Sequence, residues 1–176
     1  LFFPGIPREE KGIDLFLDAL TKLGPLPAAR FFLTGSSAIT DPETQKLLQE
    51  ALARLGESLA VSPAIPDMAD YQAAVQASDF VVCCHRPAAY AGRASGVLND
   101  AIAAGVPVIA PDYGVFRRVR DWDIGYLYPP EDPGALAGTI VRAVSERRDF
   151  TAALAEVRAR YSETSQVKQL DDLLAL

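Results

Sequence analysis

Short apolar runs alternate along this chain with stretches in which apolar residues recur every three or four positions. The runs Leu1–Phe3, Arg30–Thr34, Leu59–Ser62, Phe80–Cys84, Val108–Ala110 and Gly125–Tyr128 predict strands. Most are apolar at successive positions, the mark of strands buried on both faces. Between the first two, Ile13, Phe16, Leu17 and Leu20 fall at i, i+3, i+4 and i+7, one face of a helix. Asp41 and Pro42 read as the N-cap and first residue of a second helix, which buries Leu48, Ala51, Leu52 and Leu55. Asp132-Pro133 repeats that signature before Ala137, Ile140, Val141 and Val144. From Phe150 the pattern predicts two short helices, the last over Ser165–Ala175. This alternation predicts an α/β fold: a doubly wound parallel sheet of about six strands with helices on both faces, in one domain.

Length and composition narrow the picture. At 176 residues, with 49% hydrophobic and 23% charged residues, the chain is globular and long enough to bury a real core. No apolar run approaches the roughly 20 residues of a transmembrane helix, and no signal peptide is visible. The net charge of −6 argues against nucleic acid and anionic membrane surfaces, so any phosphate needs a local site. The two cysteines, Cys83 and Cys84, read as buried free thiols in a reducing, cytoplasmic setting. The chain opens without Met and inside a strand, so the expectation is an excised domain with an upstream partner.

One stretch carries candidate chemistry. From Arg93 to Ala110 the residues read as a polar turn, a short helix, a stop at Gly105 and Pro107, and a buried strand. Ser95 and Gly96 sit where the helix begins, so unpaired backbone N–H groups there suit a phosphate. Asp100 stands one turn behind on the same face, and a carboxylate beside a phosphate cradle suits a nucleotide with a ribose. Arg86 and Arg93 flank the preceding loop and offer two guanidinium groups to a diphosphate. His85, the only histidine, follows the fourth strand; a general base, a phosphate partner and an ordinary loop residue are the readings open to it. Gly35 and Ser36 end the second strand, where small residues let a backbone approach a ligand or simply make a turn. In such a sheet ligands bind at the carboxyl ends of the strands, near the switch point, which is where these loops fall.

The same stretch resembles the donor-binding half of retaining, GT-B-type glycosyltransferases, the group that includes glycogen-synthase-like and sucrose-synthase-like enzymes. Asp100-Ala-Ile-Ala-Ala-Gly105-Val-Pro107-Val-Ile109 is similar to the second half of the family pattern, a Glu followed after seven residues by Glu-Ala-hydrophobic-Ala-x-Gly-x-Pro-Val-Ile. Gly5-Ile-Pro-Arg8-Glu-Glu-Lys11-Gly12 resembles its opening strand-to-helix loop, and Phe32-Leu-Thr-Gly35 and Ser78-Asp-Phe-Val-Val82 resemble later strands. The resemblance implies a Rossmann-like domain that is half of a two-domain enzyme and binds a nucleotide-diphosphate sugar. It implies glycosyl transfer with retention and without metal, and a separate N-terminal domain that supplies the acceptor. On this reading Arg8, Lys11, Arg93, Ser95 and Gly96 hold the diphosphate, Gly35, Ser36 and Asp100 hold the ribose and nucleotide, and His85 lies on the sugar side.

Two positions depart from the pattern. Gly92 stands where the family has its first Glu, which contacts the sugar, and Ile6 stands where the family has its Arg. Two alternatives stay open: a nucleotide-sugar epimerase domain, which shares the two-domain architecture but normally brings further His and Glu side chains, and a degenerate, non-catalytic domain that binds a protein partner, which Gly92 and Ile6 favour. Asp121-Trp122-Asp123 has the form of a metal-binding signature from a different glycosyltransferase fold, but it lies in a loop for which the resemblance implies no metal.

Overall fold

The apolar runs form six parallel strands: β1 Phe2–Phe3, β2 Phe31–Leu33, β3 Leu59–Val61, β4 Val81–Val82, β5 Val108–Pro111 and β6 Gly125–Tyr128. They lie in the order β3-β2-β1-β4-β5-β6 in the computed structural model, which describes residues 1–24, 26–162 and 165. Phe2 pairs with Phe32 on one side and Val81 on the other, so the order reverses between β1 and β4. This is the doubly wound, Rossmann-like arrangement, whose binding crevice opens at the carboxyl ends of the strands at that reversal. β1, β4 and β5 are buried throughout, as the unbroken apolar runs require.

The helices are α1 Ile13–Lys22, α2 Pro42–Leu55, α3 Met68–Gln76, α4 Pro87–Tyr90, α5 Gly96–Ala104, α6 Arg118–Asp121, α7 Pro133–Glu146 and α8 Thr151–Arg160. α1 packs with α2 and α7, and α5 packs with α3 and α8, two groups as a doubly wound sheet needs. α1 buries the expected Ile13, Phe16, Leu17 and Leu20. The caps are those read from the sequence: Asp41 accepts from Thr44 N and Asp132 from Ala135 N, both at 2.8 Å. Gly105, with φ +75°, closes α5 in the left-handed conformation.

Some expectations need adjustment. Val141 is 39% exposed; the buried stripe of α7 is Leu136, Ala137, Ile140 and Ala143, and Val144 is half-buried. In α2, Leu48 and Ala51 are buried while Leu52 and Leu55 are half-buried at its edge. α3 was not expected, because it buries only Val75 and carries no apolar stripe; Asp67 caps it by accepting from Asp70 N at 2.9 Å. The helix expected over Ser165–Ala175 lies, Ser165 apart, outside the described residues. Among the described residues no helix is long and apolar enough to cross a membrane.

Candidate functional site

The loop after β1 folds as one turn of 3-10 helix, Glu9–Lys11, closed by Gly12. Gly12 has φ +67° and donates to Glu9 O at 2.8 Å; a Cβ there would stand 2.1 Å from Cys84 O. Only glycine allows the turn to press this closely on the end of β4. Lys11 is half-buried, and its Nζ lies 2.7 Å from where a Cβ on Gly5 would be. Burial lowers the Lys11 pKa, and Arg8 lowers it further, against weaker opposing effects of Cys83, Glu10 and Asp100. Lys11 and Asp100 therefore share one electrostatic neighbourhood. Arg8 is exposed and pairs with Glu10 at 3.5 Å.

The loop after β2 meets the same region. A Cβ on Gly35 would lie 3.0 Å from Pro7 and 3.5 Å from Ile65, so the loops after β1, β2 and β3 converge. The donors of this loop are engaged within the protein: Gly35 N–H to Ala64 O at 2.9 Å, Ser36 N–H to Ser62 O at 3.1 Å and the Ser36 hydroxyl to Ser62 O at 3.3 Å. What Gly35 and Ser36 still offer a ligand is close backbone approach and a hydroxyl lone pair.

Past β4, His85 is buried against Tyr90 and Phe116, with ring centroids 4.4 and 5.2 Å away. Burial, with a further effect of Lys11, pulls its pKa down to about 4, so the imidazole is neutral at pH 7. Its Nδ1, like Thr34 Oγ1 at the end of β2, is buried without a hydrogen-bond partner among the described residues. Arg86 is not available to a ligand, because Asp14 and Glu131 hold its guanidinium. Arg93 is exposed and has no ion-pair partner among the described residues.

At α5 the hydroxyl of buried Ser95 caps the helix, accepting from Leu98 N at 3.2 Å. Gly96 is exposed, and a Cβ there meets nothing within 4 Å, so the positive helix end is open beyond Ser95. Asp100 is exposed on the next turn and accepts from the Tyr71 hydroxyl at 2.8 Å. Tyr71 on α3 is a partner that sequence reasoning missed, since nothing in the spacing of the two residues points to it.

The aspartates of Asp121-Trp122-Asp123 precede β6 and so lie at the amino edge of the sheet, opposite the crevice. Asp121 pairs with Arg120 at 3.6 Å and Asp123 with Arg148. Among the described residues no three His, Cys, Asp or Glu side chains are grouped to hold a metal ion. A cavity of about 990 Å³ also lies at that amino edge, lined by Leu1, Arg30, Asp79, Phe80, Arg148 and Phe150, away from all the converging loops.

Comparison with known proteins shows the family and the fold. The family described as glycosyl transferases group 1 matches residues 1–146. The phosphatidyl-myo-inositol mannosyltransferase of Mycobacterium leprae is 41% identical over 78 residues, 42% of this chain and 21% of that protein. The sucrose-phosphate synthase of Thermosynechococcus elongatus superposes with a TM-score of 0.72 at 24% identity, over 99% of this chain and 44% of that one. The Anabaena protein HepE in complex with UDP superposes with a TM-score of 0.71 at 18% identity, over 99% of this chain and 48% of that one. The chain thus spans less than half the length of each. Because the family match covers residues 1–146, most of the chain, the chain belongs to the glycosyl transferases group 1 family.

Proposed function

We propose that this chain is the C-terminal, donor-binding half of a retaining GT-B glycosyltransferase and binds a nucleoside-diphosphate sugar at the carboxyl edge of its sheet. The observation that carries the reading is that the turn bearing Lys11 and the open first turns of α5 bearing Asp100 both follow strands at the carboxyl edge of the sheet, with Asp100 acting on the Lys11 charge. In this reading Lys11, Arg93 and the N–H groups at Ser95–Gly96 hold the diphosphate, with Arg8 at the rim. Asp100 takes the ribose hydroxyls, and the loop at Gly35 and Ser36 lies against the nucleoside.

The chemistry asked of these groups is electrostatic. As the glycosidic bond to phosphate breaks, negative charge grows on the leaving diphosphate, and donors already in place stabilise it without reorganisation. A fixed ammonium, a guanidinium and a helix end supply the charge that a divalent ion supplies elsewhere, so no metal enters the scheme. His85 is neutral and buried on the sugar side, able to exchange a hydrogen bond but not to offer a charge. Gly92 provides no carboxylate for the sugar, so selection among sugars falls to the acceptor wall of an N-terminal domain. HepE with UDP and the mannosyltransferase relative support a nucleotide sugar as the ligand class. The free thiols Cys83 and Cys84 fit work in the cytoplasm.

Calorimetry with UDP, GDP and uridine, each with excess EDTA and then with manganese, tests the reading. Diphosphate binding of equal strength in both conditions is expected, with no sugar transfer by the chain alone. Binding that appears only with manganese, or multiple turnover without an added domain, would overturn it.

A further inference from the structure

Arg86 leaves the carboxyl end of β4 and ties three loops together. Its backbone N–H donates to Glu10 O at 3.0 Å and its Nε to Glu9 O at 3.1 Å. One terminal nitrogen donates to the Asp14 carboxylate, and the other to Glu131 at 3.2 Å. Glu9 and Glu10 belong to the turn that ends in Lys11, Asp14 lies in the first turn of α1, and Glu131 lies between β6 and α7. Lys11 is therefore bracketed by residues that Arg86 grips on both sides. The steric tie runs the same way, because Gly12 presses on Cys84 O two residues before Arg86.

A guanidinium suits this post because its donors point in fixed, divergent directions, each to its own acceptor. A lysine ammonium is one point and cannot reach Glu9 O, Asp14 and Glu131 together. Since those acceptors occupy the fork, Arg86 is not a ligand for phosphate.

We infer that Arg86 is a positioning residue that clamps the Glu9–Lys11 turn against the end of β4, and so sets the Lys11 ammonium beside Gly5 at the carboxyl edge. Its effect on binding rests on the reading of Lys11 as a diphosphate ligand. Its hold on Lys11 does not.

Two measurements on the whole chain test the clamp separately from that reading. The first needs no ligand: the titration of Lys11, followed by NMR on isotope-labelled dimethyl-lysine. Loss of the Arg86 charge would itself raise the Lys11 titration, so Arg86→Lys, which keeps the charge and loses the fork, is the variant whose change reports position and burial. In Arg86→Gln the Lys11 titration should rise toward that of a solvated lysine, and Arg86→Lys should fall between. An unchanged titration in Arg86→Lys overturns the clamp.

The second is calorimetry with UDP and uridine. Arg86→Gln should weaken UDP about tenfold, the size of one charge-assisted contact, while uridine changes little. Adding Lys11→Ala to Arg86→Gln should cost nothing beyond Lys11→Ala alone, because both remove the same contact. Losses that multiply in the double variant overturn the proposal. A Lys11→Ala variant that binds UDP normally removes the diphosphate reading instead, and the titration still decides the clamp.

Discussion

The Tyr71 hydroxyl donates to the Asp100 carboxylate at 2.8 Å and joins α3 to α5 beside the open end of that helix. Tyr71 is anchored from behind, its ring 6.3 Å from that of Phe2 in the central strand. Burial and the neighbouring Asp100 raise its pKa, so the phenol keeps the proton it donates. Asp100 is exposed yet restrained, and that is what a carboxylate needs in order to meet a ligand without first losing rotamer freedom.

Asp100→Asn should weaken binding of a ribonucleoside diphosphate by about 1.5–3 kcal/mol, the range for hydrogen bonds to a charged group, and leave the fold intact. Comparison of UDP with its 2′-deoxy form checks it, because the wild-type preference for the ribose should largely vanish. Tyr71→Phe should erode the same preference to a smaller degree. Equal affinities for the two nucleotides in the wild type would take Asp100 out of the site.

Lys11→Ala should separate phosphate from nucleoside. Loss of a charge-assisted contact amounts to roughly 1.5–3 kcal/mol, or about ten- to a hundredfold in affinity. That loss should appear for UDP and be small for uridine. Parallel losses for both would mean that Lys11 supports the loop without touching phosphate.

Gly12→Ala should be strongly destabilising. The added Cβ meets Cys84 O at 2.1 Å and φ is +67°, so the turn must either strain or lift from β4. A loss of about 2–4 kcal/mol is expected from denaturant unfolding, combining an unfavourable backbone conformation with a steric clash. Gly92→Ala is the control. Nothing lies within 4 Å of a Cβ there, and its stability should stay within about 0.5 kcal/mol of wild type.

Acid should weaken the fold through His85 before it acts on the carboxylates. The folded pKa, pulled down to about 4 by burial and then by Lys11, lies below the ordinary histidine value of 6.5. Between those values the unfolded chain binds the proton and the folded chain does not, so stability falls as pH drops from about 6.5 to 4. The loss should reach about 3 kcal/mol at most, and His85→Gln should flatten that part of the pH–stability curve. A wild-type curve that is flat down to pH 5 would mean that His85 is already protonated or solvated.

Much of the fold was legible because its signals are local. The strands announce themselves as short unbroken apolar runs, since both faces of the sheet are covered. Asp41-Pro42 and Asp132-Pro133 mark helix starts because a capping carboxylate and a proline satisfy the first turn from adjacent positions. Ser95 and Gly105 mark the ends of α5 for equally local reasons, one as an acceptor for Leu98 N and the other as a left-handed stop. The convergence of the loops that carry Lys11, Gly35 and Ser95 on one edge followed from topology, because loops after parallel strands must share one edge. α3 escaped notice because it buries one side chain only, and a helix without an apolar stripe leaves no period to read.

The chain's own sequence thus determined the element order and the parallel sheet, and through that topology the sharing of one edge by the loops that carry Lys11, Gly35, His85 and Ser95. Tertiary structure alone decided how the polar side chains on that edge are employed. Arg86, which the sequence offers as a phosphate ligand, is bound to residues up to 77 positions away. His85, for which it leaves a general base, a phosphate partner and a loop residue open, is buried against Tyr90 and Phe116, and burial keeps it neutral. Asp100 finds its restraint in Tyr71, 29 positions upstream on another helix. Ser36 spends its hydroxyl proton on the loop after β3. Backbone patterns carry no record of such pairings, because a donor is matched by whatever acceptor packing brings near it, and packing exists only once the whole sheet has formed.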